Sequence, residues 1–199
     1  WLPALPPVAA CSPDERALLQ RQLETGFNCV ATSSMGRLCD AVAALAGVCQ
    51  AATYEAQAAI ELEALAGNSV VVEPAELAKL GYEFRYVESG GATIVDAAPL
   101  IRQVAVDVLG GRSAGWVAAH FHAAVAHMIV SVACAVRDRT GIGRAALSGG
   151  VFQNVVLLSA AVGELRRAGF AVLVHRRVPP NDGGLALGQA VIVARQLRL

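Results

Sequence analysis

Two short stretches in the last quarter of the chain carry residue types that could do chemistry. Leu147 to Asn154 reads Leu-Ser-Gly-Gly-Val-Phe-Gln-Asn, and Pro179 to Gly184 reads Pro-Pro-Asn-Asp-Gly-Gly. Each sets paired glycines and polar side chains between an apolar strand pattern and an amphipathic helix pattern. Glycine lets a backbone approach a ligand closely and reach positive φ. The start of the following helix offers unpaired N–H groups and a partial positive charge. Two such junctions in succession are the makings of a phosphate or nucleotide crevice at the edge of an α/β sheet. The plain alternative is a pair of tight connections between helices and strands.

These junctions need elements to position them. Ser12-Pro13-Asp14-Glu15 has the makings of a capping box with proline at the first helical position, predicting a helix to about Glu24 that stops near Gly26. Further helices are expected over about Met35–Ala46, with Leu38, Val42 and Leu45 on one face, and about Glu55–Ala66, closed by Gly67-Asn68. Tyr82–Val87 and Ala92–Asp96 flank a Gly-Gly turn and predict a hairpin. Helices over Ala98–Leu109 and Ser113–Val136 follow. The pattern then predicts a strand over Arg144–Leu147, a helix over Phe152–Ala168, a strand over Phe170–His175 and a helix from Asp182 to about Leu197. The strand–helix–strand part is a right-handed crossover joining a parallel pair. The expected class is α/β, a single lobe over 1–199 with a mainly helical part (1–80) and an α/β part (81–199). The stretch Val70 to Glu88 is the more polar and is expected over the surface.

Composition narrows the possibilities. The 199 residues are 55% hydrophobic and 5% aromatic, with sixteen basic and sixteen acidic residues balancing to zero net charge. Lys79 is the sole lysine, so the clustered basic surface of a nucleic-acid binder is lacking. Cys11, Cys29, Cys39, Cys49 and Cys134 are odd in number and form no C-x-x-C pair, which suits buried free thiols in a reducing cytoplasm. The opening Trp-Leu-Pro-Ala-Leu-Pro-Pro reads as an extended lead-in. Ser113 to Val136 carries no Asp, Glu, Lys or Arg and is long enough to cross a bilayer, but its His120, His122 and His127 favour a buried central helix. Separations of two and five residues do not suit a helical metal pair. The histidines are therefore expected in the core or lining a crevice, while His175 is placed to support the Pro-Pro-Asn-Asp loop.

Four motifs in order resemble one family. Thr32-Ser33-Ser34-Met35-Gly36-Arg37-Leu38-Cys39-Asp40-Ala41-Val42-Ala43-Ala44-Leu45 is similar to T-S-S-x-G-R-L-F-D-A-V-A-A-L, and Tyr54-Glu55-Ala56-Gln57-Ala58-Ala59 is similar to Y-E-G-Q-A-A. With S-G-G-V-F-Q-N and P-P-N-D-G-G-L-x-L-G-Q-A, they resemble the carboxy-terminal region of the hydrogenase maturation carbamoyltransferases, the HypF family, from about Cys11 to Leu197. That region is similar to the tRNA threonylcarbamoyl transferases.

The resemblance implies the second lobe of an actin-like ATPase fold, a mixed sheet with flanking helices and a helical insertion. It implies use of ATP and carbamoyl phosphate, a carbamoyl adenylate intermediate, and transfer to the C-terminal cysteine of a partner maturation protein in cyanide-ligand synthesis for [NiFe] hydrogenases. It places Asp40, Glu55, Gln57, Ser148, Gly149, Gly150 and Asn154 on the nucleotide, and Asp182 on a divalent metal completed by two histidines. Three have a plainer reading: Asp40 as a solvated carboxylate, Asn154 as a backbone cap, Asp182 as a helix N-cap. The chain departs from the pattern at Cys39 for Phe, Ala56 for Gly and Val155 for Arg. It contains no Asp-x-Gly-Thr loop and no H-x-x-x-H, so the resemblance implies partners: a first lobe and upstream modules supplying the rest of the site. Isolated, the lobe is expected to be inactive. Rival expectations are a tRNA threonylcarbamoyl transferase relative, or a nucleotide-binding or interaction module without catalysis.

Overall fold

The computed structural model describes residues 2–67 and 72–197. The chain forms two compact units, Trp1–Ala124 and Val125–Leu199. Asn68, part of the predicted stop of the third helix, and Val70, the start of the polar stretch, lie outside the described residues.

The first unit is mainly helical. The lead-in is not extended throughout: Pro6–Ala10 forms a short helix, α1, because proline at the first helical turn gives up no hydrogen bond. In α2 (Pro13–Thr25) the capping box forms as expected, Ser12 Oγ accepting from Glu15 N–H at 3.2 Å and Glu15 Oε2 accepting from Ser12 N–H at 2.7 Å. That helix buries no residue, and Leu18, Leu19 and Leu23 are exposed. Helices α3 (Met35–Leu45) and α4 (Gln57–Ala66) pack together, burying Val42, Ala43 and Leu62 completely.

The stretch expected to cover the surface instead forms a helix and two core anchors. In α5 (Pro74–Leu80), Pro74 starts the helix, Glu76 and Lys79 suit its two dipole ends, and Leu77 is buried. Tyr82 and Phe84 are buried directly after it. Strands β1 (Arg85–Ser89) and β2 (Ala92–Asp96) pair antiparallel, Ser89 opposite Ala92. The intervening Gly90 and Gly91 have φ of 59° and 80°, the two-residue turn that matches strand twist and strongly favours glycine. An Arg85–Asp96 ion pair closes the far end. Helix α6 (Ala98–Leu109) contributes Leu100 and Val104 to the core.

Helix α7 (Ala114–Thr140) begins in this unit and ends in the second. By length and composition it could cross a membrane, yet half of its most apolar window is buried inside the chain. His120 and His122 are core groups. Their Nδ1 atoms lie 2.8 Å and 2.7 Å from the carbonyl oxygens of Trp116 and Ala118. A carbonyl only accepts, so each Nδ1 carries the proton. His120 also stacks on Trp116, ring centres 3.7 Å apart.

In the second unit, α7 gives way to β3 (Arg144–Leu147), α8 (Val155–Arg167), β4 (Ala171–Val174) and α9 (Leu185–Gln196). Arg137 at the end of α7 donates to Ala168 O at 2.6 Å and lies over the Phe170 ring, fastening the turn between α8 and β4. Strands β3 and β4 pair in parallel, as the crossover predicts. Thus the α/β class holds, with the strands among the described residues divided into an antiparallel pair and a parallel pair. Helix α9 buries nothing, and Leu185, Leu187, Val191, Ile192 and Val193 are exposed on it.

Two features lead to stability measurements. Ala56, where the family pattern has glycine, sits at the start of α4 with φ 61° and ψ 13°, left-handed backbone that strains any residue bearing a Cβ. Ala56→Gly is expected to raise unfolding stability by about 1 kcal/mol in urea, net of the entropy glycine adds to the unfolded chain. Burial holds the pKa of His122 below the ordinary 6.5, partly countered by its bond to Ala118 and by Glu63. The unfolded chain therefore binds more protons there. The neutral histidine's contribution is complete above pH 6.5 and is lost as pH falls below it toward the folded-state pKa. His122→Asn, which keeps a donor near Ala118 O, should flatten the stability slope between pH 7.5 and about pH 5.

Candidate functional site

The second unit holds the more concentrated set of candidates. The register of the parallel pair sets Arg144 beside Ala171 and Leu147 beside Val174, so both strands end level. The next residues, Ser148 and His175, leave the sheet side by side at its carboxyl edge, where open α/β sheets bind ligands. His175 Nε2 lies 2.9 Å from Ser148 Oγ, and Gly149 N–H donates to Pro180 O at 2.8 Å. The two loops are thus stitched together by one side-chain pair and one backbone bond. Beside His175 is a cavity of about 310 Å³, with apolar walls from Leu147, Phe152, Leu158, Val174 and Pro180 and polar groups from Gln153 and His175.

The glycines have separate jobs. Gly149 adopts φ 105° and ψ 157°, a region only glycine occupies readily. A Cβ on it would meet nothing within 4 Å, so the space beside its Cα is open, while its N–H is given to Pro180 O. In the second loop the approach is made by the chain itself. A Cβ on Gly184 would come within 3.0 Å of Pro179 O, and one on Gly183 within 3.0 Å of Pro179 Cγ.

Asn154 does not stand one turn into its helix. A 3-10 turn over Gly150–Gln153 intervenes, and Asn154 is the N-cap of α8, its Oδ1 accepting from Leu157 N–H at 2.8 Å. A 3-10 turn over Asp182–Gly184 likewise precedes α9, where the first loop residue expected to start the helix was Asp182. The capping oxygen there belongs to Asn181, which accepts from Gly183 N–H at 3.1 Å. The Asp182 carboxylate is exposed.

Asp40, Glu55 and Gln57 belong to the first unit. Asp40 is paired with Arg37 at 2.8 Å across one helical turn, an i,i+3 pair that was visible in the sequence. Glu55 is exposed. Gln57 organises the start of α4: its Oε1 accepts from Thr53 N–H at 2.7 Å and Thr53 Oγ1 at 3.1 Å, and its Nε2 donates to Glu61 at 2.7 Å. Cys39, beside Asp40, has its thiol pushed up to about 11 by burial and then by the carboxylate, so it stays protonated and unreactive at neutral pH. Cys49 is buried too, whereas Cys29 is exposed, contrary to the expectation that all five would be buried.

No group of three His, Cys, Asp or Glu side chains converges among the described residues. A lone exposed Asp182 is a single hard oxygen ligand, and these residues do not themselves fit a divalent cation, which takes four or more ligands.

A parallel strand pair opening at its carboxyl edge onto two glycine loops, each leading into a helix, gives this second unit an α/β architecture. The family described as "Carbamoyltransferase, Kae1-like Domain, second subdomain" matches residues 3–189, and the chain belongs to it. It is the second lobe of an actin-like ATPase fold. The carbamoyltransferase HypF of Synechocystis is 36% identical over 178 residues, covering 88% of this chain and 22% of that protein. HypF of Rhizobium leguminosarum bv. viciae is 40% identical over 167 residues, 83% of this chain and 20% of that protein. A crystal structure of full-length HypF in its phosphate- and nucleotide-bound form superposes with a TM-score of 0.85 at 35% identity, covering 96% of this chain and 24% of that one. The chain therefore spans less than a quarter of the length of these relatives.

The capping role of Asn154 can be tested directly. Asn154→Ala should lower stability by about 1 kcal/mol, and Asn154→Asp, which keeps the accepting oxygen, should restore most of it in the same urea titration.

Proposed function

We propose that this chain is the second lobe of a carbamoyltransferase domain and forms one wall of its nucleotide crevice. The observation that carries the reading is the family match over residues 3–189, joined to the open Ser148–Gly150 turn at the carboxyl edge of β3. The substrate would be carbamoyl adenylate, made from ATP and carbamoyl phosphate by modules outside this chain. The acceptor would be the C-terminal cysteine thiolate of a hydrogenase maturation partner. In the transfer, the thiolate attacks the carbonyl carbon, a C–S bond forms, the C–O bond to the adenylate phosphate breaks, and AMP departs with the electron pair.

The chemistry asks this lobe for orientation and electrostatics rather than a nucleophile. Cys39 is held protonated, which fits that division of labour. Ser148, Gly149 and Gly150 would face the nucleotide from the second unit, and Asn154 would set the direction of α8 behind them. For the first unit, taken by itself, the family resemblance proposes Asp40, Glu55 and Gln57 as nucleotide-binding residues. In Gln57 the amide holds the α4 start, so its part would be to shape the wall. Asp182 would add one ligand to a metal whose other ligands lie outside this chain.

The isolated chain is expected to show no carbamoyl-phosphate-dependent exchange of pyrophosphate into ATP. Exchange by the chain alone would overturn the division of the site between lobes. In a polypeptide that joins this lobe to a first lobe and the upstream modules, Asp40→Ala should weaken nucleotide affinity about tenfold by calorimetry, the weight of one charge-assisted hydrogen bond. Unchanged affinity would remove Asp40 from the site.

A further inference from the structure

Ser148 is held by a residue outside the proposed nucleotide-binding set, His175. We propose that His175 is a positioning residue of the nucleotide wall. It donates its Nε2–H to Ser148 Oγ, so that the serine hydroxyl hydrogen points out of the sheet edge toward an anionic oxygen of the bound substrate. This inference rests on the nucleotide reading given above.

Three observations carry it. First, the parallel register fixes the geometry, because Leu147 and Val174 are paired and Ser148 and His175 are the next residue on each strand. Second, the contact is 2.9 Å long and joins residues 27 positions apart in the chain. No local turn would produce it. Third, His175 also lines the cavity with Gln153 and Pro180, so its contact with Ser148 borders a space that can admit part of a ligand.

A hydroxyl has one hydrogen and two acceptor sites. If Ser148 gave its hydrogen to His175, it could offer a ligand only lone pairs, which repel a phosphate. If the imidazole donates, the hydroxyl hydrogen is released toward the ligand and the oxygen is polarised by the bond it accepts. An anionic substrate therefore selects the arrangement in which Nε2 carries the proton. Arg176 and Arg177 follow in sequence and add positive charge to the same loop, in keeping with an anion. His175 would touch Ser148 rather than the reacting atoms.

The test uses a polypeptide that joins this lobe to a first lobe and the upstream modules, with ADP as the probe, titrated by calorimetry. The wild type is compared with His175→Ala, His175→Gln, Ser148→Ala and the double alanine variant. His175 is exposed, so the unfolding midpoint of His175→Ala should match the wild type. We expect His175→Ala to weaken ADP binding about five- to tenfold, the range of one net hydrogen bond. His175→Gln, whose amide can reach Ser148 Oγ as a donor, should recover most of it. The double variant should lose no more than the larger single loss, since both substitutions remove one arrangement. In nitrogen NMR, ADP should move His175 to the form protonated at Nε2.

Additive losses, no rescue by glutamine, or an Nε2 that stays unprotonated with ADP bound would each overturn the inference while leaving the nucleotide reading intact. If the wild type itself binds no ADP, the nucleotide reading fails, and the inference goes with it.

Discussion

The candidate site of the second unit depends on one constraint, the register of four residue pairs between β3 and β4. Parallel strands bond through evenly spaced, slanted hydrogen bonds, and a slip of one residue would turn every side chain to the other face. With Leu147 beside Val174, both chains leave the sheet at the same level. The Ser148–His175 contact, the Gly149–Pro180 bond and the cavity beside His175 all follow from that alignment. Arg137, fastened to the turn that leads into β4, helps to hold the second strand in place.

Local signals in the sequence are legible where the physics is local. The capping box at Ser12, the Gly90-Gly91 turn and the bounds of α6 and β3 each depend on a few neighbouring residues. Helix α5 is not legible because its polar stretch hides a single buried leucine, and Leu77 alone makes no periodic pattern. Prolines concealed α1, although one of them starts it.

At the candidate site, the sequence singles out the two loops that the parallel pair brings together, but not the local geometry of the side chains in them. Asn154 seemed to lie within a helix because the 3-10 turn over Gly150–Gln153 has no periodicity of its own. Gly183 and Gly184 looked like room for a ligand, but their missing Cβ atoms make room for Pro179. His175 could be read only as support for its loop, since its bond to Ser148 is set by pairing between residues far apart in sequence. The signal that could have revealed it was the predicted parallel pair itself, extended by one residue on each strand.

Ala56 has a consequence of another kind. Its left-handed backbone carries a Cβ that the conformation disfavours, at the turn where Gln57 ties Thr53 to the start of α4. Alanine and glycine codons differ at one base, so relief of that strain lies a single nucleotide change away. The chain sits next to a steadier version of itself in genetic terms, as expected of proteins selected to clear a stability threshold rather than to reach an optimum.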